Sequence, residues 1–251
     1  MILSRRLALI GAGGAATTAL LAEFPAAAMP DSTDGRALAA LSRQLAAAPR
    51  RRGFTAVPFM VDRAELWDHE ASVILLNYPG GPKQVWECTD IAAAWPNLMR
   101  EALNGQVFAH DHPDFLAVAA IHGTAHLSLF SQAMWDRYGL AEGTHGVLSR
   151  NVLIVEPAGV SPMDDRQRVD GFYGPANSNL VSLQRRGVVL IGCHDSIHAI
   201  ARGVAARQGG TADAIAAELT NELLPGTILV PSVVAYLAEV QRAGFTYAKG
   251  A

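Results

Sequence analysis

Apolar and polar positions along the chain fall into two alternating patterns. Residues 72–77, 115–121, 188–191 and 227–230 are short runs with few polar breaks, as expected of strands buried on both faces. Residues 245–248 read as a terminal strand. Between these runs, apolar residues recur at spacings of three and four. Leu38, Leu41 and Leu45 mark a helix over 34–48. Further helices are predicted over 89–103, 124–138, 178–186, 194–208 and 232–243, with another starting after Thr211.

Turn and breaker residues punctuate these elements. Tyr78-Pro79-Gly80-Gly81-Pro82 reads as a loop after the first run. Gly139, Gly187 and Gly209-Gly210 stop helices, and Thr124 is the expected cap of the 124–138 helix. Pro96 makes the 89–103 helix start late or kink. Residues 141–175 are less regular, and 152–155 within them fit a strand or an apolar loop.

Strands alternating with helices predict an α/β fold, with a largely parallel sheet covered on both faces. In such sheets ligands sit beyond the carboxyl ends of strands, where the strand order reverses. His122 and Cys193 both fall at predicted strand ends, so one crevice is expected to hold both.

The beginning of the chain reads differently. Arg5-Arg6 precedes an apolar, Ala/Gly-rich stretch that closes on Ala26-Ala27-Ala28. That pattern predicts a twin-arginine (Tat-type) signal peptide over 1–28, and a periplasmic or otherwise exported protein. Residues 29–70 read as an amino-terminal helical extension, and 71–251 as one α/β domain. No later segment is apolar for long enough to cross a bilayer, so no membrane contact is expected once the leader is removed.

The formal charge is −3, and loss of the leader takes it to −4. That balance argues against nucleic acid as a partner, because phosphate neutralisation needs a basic face. Arg50-Arg51-Arg52 reads as a solvated loop. Nucleotide-binding glycine motifs, a serine-nucleophile elbow and calcium-loop spacing are all missing.

Candidate chemistry centres on Cys193. It lies where a buried strand gives way to a helix, and helix N-terminal N–H groups favour an anion such as a thiolate. The other cysteine is Cys88, and a single bridge between the two is one option in an oxidising compartment. Two histidine pairs, His122/His126 and His194/His198, have helical spacing. With Cys193 they offer donors for a transition metal, although no carboxylate or second cysteine sits at ligand spacing. No organic cofactor is expected.

The carboxyl-terminal third resembles the DsrE-like family of sulfur-relay proteins. The resembling residues are Asn177-Ser178-Asn179-Leu180, Ile191-Gly192-Cys193, Leu223-Leu224-Pro225-Gly226 and Val230-Pro231-Ser232. Ile121-His122-Gly123 also looks like that family's apolar strand closing on His-Gly. The resemblance implies a three-layer α/β/α domain, a homo-oligomer such as a trimer or hexamer, and persulfide transfer through Cys193. It implies a sulfur donor or acceptor protein as partner. On this reading Cys193 is the catalytic residue, with His122 or His194 tuning it. A non-catalytic oligomeric binding module and a Cys/His transition-metal protein are the alternatives.

Overall fold

A computed structural model describes residues 35–250. The leader predicted over 1–28 lies outside the described residues.

Five strands form one sheet: β1 (Lys83–Cys88), β2 (Leu116–Ile121), β3 (Val189–Cys193), β4 (Ile228–Val230) and β5 (Thr246–Lys249). Their order is β4-β3-β2-β1-β5, and every pair is parallel. All residues of β2, β3 and β4 are buried, which explains their nearly unbroken apolar sequence.

Helices cover both faces, giving three layers. One face carries α3 (Trp95–Asn104), α4 (Gln132–Tyr138), α5 (Leu180–Arg185), α6 (His194–Gln208) and α7 (Ala212–Asn221). The other carries α1 (Arg36–Ala47), α2 (His69–Leu76) and α8 (Val233–Arg242). From β1 to β4 the chain advances one strand at a time over the first face. It then returns beneath the second face through α8, which packs on β3, β2 and β1, and places β5 outside β1. The strand order therefore reverses at β1.

Most predicted helices form close to their expected ends. Pro96 sits in the first turn of α3, where a missing N–H costs nothing, so the helix starts late. Asn179, Thr211 and Ser232 cap α5, α7 and α8 with side-chain oxygens.

Four local expectations are corrected. The predicted strand over 72–77 is not formed: residues 72–76 belong to α2 and Asn77 is its C-cap, and the buried positions Ala71, Ser72 and Leu75 follow helical spacing while Val73 is exposed. The strand preceding β2 is instead β1, whose sequence Lys-Gln-Val-Trp-Glu-Cys has no apolar run to announce it. The 124–138 segment is two elements: a 3-10 stretch over Gly123–Leu129, then α4 capped by Ser131 rather than Thr124. Of the two readings open for 152–155, the strand is not formed: residues 152–154 make a 3-10 turn.

The arginine run is not a free loop. Asp68 is fully buried and accepts the Arg51 backbone N–H at 2.6 Å and both carboxylate contacts of Arg52 at 3.2 Å. It also donates its own N–H to Leu229 O at 3.0 Å and accepts the Leu229 N–H at 2.7 Å. One carboxylate thus closes the outer edge of β4.

Candidate functional site

Cys193 ends β3, and its side chain points to the face covered by α1, α2 and α8. It is only 3% exposed. Two hydrogen bonds define its surroundings. Its backbone N–H donates to His126 Nε2 at 3.0 Å. Its Sγ accepts the Val233 N–H, from the first turn of α8, at 3.4 Å. The helix start that meets the sulfur is therefore α8. The sequence pattern had pointed to α6, which Cys193 precedes without capping it.

His122 follows the last paired residues of β2 and β3, Ile121 and Gly192, and so comes level with Cys193 in the neighbouring strand. Adjacent strands lie about 4.8 Å apart. His122 keeps an extended backbone, and alternation turns it towards the same face as Ala120 and Cys193. Its Nε2 lies 3.1 Å from Glu87 Oε1 on β1. A carboxylate only accepts, so Nε2 carries the hydrogen. The second oxygen of Glu87 accepts the Tyr247 hydroxyl from β5. Those bonds, with His122 and Lys249 nearby, hold the Glu87 carboxyl below its ordinary range despite partial burial. The same carboxylate pushes the Tyr247 phenol up.

Glu87 is not legible as a site residue in the sequence because β1 has no apolar run, whereas Tyr247 falls on the predicted terminal strand. The available signal was Val85-Trp86, a pair of strand-forming residues just after the Pro79–Pro82 turn.

The histidine pairs do not act as pairs. His122 is half-buried at the rim, whereas His126 is fully buried beneath the opposite face, against Gly192 and Phe130. Burial lowers the His126 pKa to about 3, so its ring is neutral. His194 and His198 share a face of α6, with ring centroids 5.7 Å apart. His194 Nε2 donates to Pro58 O at 2.9 Å, and His198 Nε2 contacts Asp213 Oδ1 at 3.0 Å. Burial also lowers the His194 pKa. His194 thus holds the Pro58 carbonyl, while His198 bonds α7 and meets the Phe59 ring edge-on, with centroids 5.6 Å apart. Among the described residues, no three His, Cys, Asp or Glu side chains are grouped to hold a metal ion.

Cys88 is free, as is Cys193. It lies two strands away on the opposite face of the sheet, so the bridge between them is not formed. Burial raises the Cys88 pKa well above that of an ordinary thiol. A groove of about 330 Å³ also opens on that opposite face, between α6 and the Gly123–Leu140 stretch. Thr124, Leu127, Ser196 and Ile200 line it, and Cys193 does not.

No helix of the described residues is long and apolar enough to cross a membrane. Comparison with protein-family models, with curated proteins and with solved structures finds no match to this chain.

Proposed function

We propose that the chain is an exported carrier of sulfane sulfur, with Cys193 as its persulfide site. The observation that carries this reading is the hydrogen bond from Val233 N–H to Cys193 Sγ. It puts a backbone donor, at the positive end of α8, against the sulfur of a cysteine at a strand's carboxyl end. The same donor suits a thiolate before transfer and a sulfur anion after it.

The chemistry is a displacement without net redox change. The Cys193 thiol gives its proton to His122, and the thiolate attacks the outer sulfur of a donor such as thiosulfate. The donor's S–S bond breaks, sulfite leaves with the electron pair, and Cys193 retains a persulfide anion. An acceptor thiolate then takes the terminal sulfur and returns Cys193 to the thiolate. His122 fits the proton role because it is level with Cys193 and partly exposed. His194 is buried, with Nε2 held by the Pro58 carbonyl. The resemblance to sulfur-relay proteins points the same way, and it brings a homo-oligomer and a donor or acceptor protein with it. Burial of Cys193 also suits an exported thiol, which oxidises readily when open to solvent.

The test is intact-mass analysis of the purified full chain after exposure to thiosulfate or polysulfide. One added sulfur is expected in the wild-type chain and in Cys88→Ser, and none in Cys193→Ser. Failure of both donors to load Cys193 overturns the reading.

A further inference from the structure

Three strands contribute to a hydrogen-bonded chain at the point where the sheet order reverses. Tyr247 on β5 donates to Glu87 on β1, and Glu87 accepts the Nε2–H of His122 at the end of β2. The groups are partly open: side-chain exposure is 19% for His122 and 21% for Glu87. Position alone does not explain the arrangement. A rim carboxylate is free to be solvated, yet both oxygens of this one are committed, one of them to the ring level with Cys193.

We propose that Glu87, braced by Tyr247, is a positioning residue that fixes His122 in the Nε2–H form and leaves Nδ1 as the nitrogen that exchanges a proton with the sulfur at Cys193. The inference rests on the sulfur-carrier reading and adds two residues to it. A neutral imidazole has one N–H and one lone pair, and the partner of the first decides the place of the second. Glu87 takes the N–H. No hydrogen bond engages His122 Nδ1 among the described residues, and its ring is partly exposed, whereas the unbonded Nδ1 atoms of His126 and His194 are buried. Charged and titratable groups near the His122–Glu87 pair include Tyr247 and Lys249 on β5, which act on Glu87, His126 in the following turn, and Cys193 level with His122 on β3. Among the described residues, Glu87 alone is hydrogen-bonded to the His122 ring.

Nitrogen-15 spectra of histidine-labelled full chain read the tautomer of neutral His122 directly. The wild-type chain is expected to show the Nε2–H form at more than about tenfold excess over the other. Glu87→Gln presents both a donor and an acceptor to the ring, so the excess is expected to collapse to within about threefold. Tyr247→Phe keeps the carboxylate on the ring but removes its brace, so the excess is expected to fall about threefold, less than in Glu87→Gln. Loading of Cys193 from thiosulfate should slow about tenfold in Glu87→Gln and about threefold in Tyr247→Phe. A neutral His122 protonated on Nδ1, a tautomer ratio untouched by Glu87→Gln, or unchanged loading in that variant overturns the proposal. If the wild-type chain takes up no sulfur, the carrier reading fails, while the tautomer measurement still decides whether Glu87 orients His122.

Discussion

The buried ring of His126 accepts the backbone N–H of Cys193 at 3.0 Å, locking the end of β3 from the side opposite its sulfur. That bond requires an unprotonated Nε2, so the ring hydrogen sits on Nδ1, which is buried without a hydrogen-bond partner.

The neutral ring makes stability depend on pH. His126 has a pKa of about 3 in the fold and an ordinary one when unfolded. The unfolded chain therefore binds the extra proton between these values, so this contribution is intact above about pH 6.5 and falls as pH drops towards 3. The slope from this one group is roughly 1.4 kcal/mol per pH unit. Burial of His194 acts in the same direction. Urea unfolding at a series of pH values checks it. His126→Gln keeps an acceptor without the titration, and should remove about one proton from the slope. An identical slope in the variant would sink this account.

Asp68 should be among the most costly side chains to remove. It joins the arginine run to the outer strand through Leu229, and its carboxylate is fully buried. Asp68→Ala leaves the Leu229 N–H unpaired and Arg52 without its anion, for an expected loss of about 3 kcal/mol. Equilibrium denaturation measures it. A loss below about 1 kcal/mol would mean that water replaces the carboxylate at the β4 edge.

Access to Cys193 should be governed by the start of α8. Ser232 caps that helix by accepting the Ala235 N–H at 3.4 Å, and the next residue, Val233, holds the sulfur. Ser232→Ala weakens the first turn by about 1 kcal/mol, so alkylation of Cys193 through local opening should be about fivefold faster. Iodoacetamide labelling followed by peptide mass analysis gives the rate, and Cys88 is the internal control. An unchanged rate would place the entry route elsewhere.

Gly123 should tolerate no side chain. Its φ is +59°, and a Cβ would meet Thr89 O at 2.6 Å. Gly123→Ala is expected to cost about 2 kcal/mol or more and to displace His122 next to it. Lower thermal stability together with slower sulfur loading is the expected pair of results. Loss of stability with unaltered loading would separate His122 from the transfer.

Much of the frame was legible in the residues. Fully buried strands must be apolar on both faces, so β2, β3 and β4 announced themselves, and Thr211 marked the start of α7 by its capping oxygen. The α2 segment misled for a physical reason: a short apolar run fits a buried helix as well as a buried strand. The β1 strand was silent because it lies next to the short outer strand β5, and only Val85 and Cys88 are fully buried.

By itself the sequence determined the alternation of strands and helices, the position of Cys193 at the end of a buried strand, and the candidacy of His122. These depend on local spacing and on burial of neighbouring positions, which one stretch of chain records. Only the tertiary structure decided which helix start meets the sulfur, which histidine stands beside it, and which residues hold that histidine. Val233 is 40 positions from Cys193, and Tyr247 is 160 from Glu87. Contacts at such separations arise from strand order and from the return of α8 beneath the sheet, and local periodicity carries no trace of either.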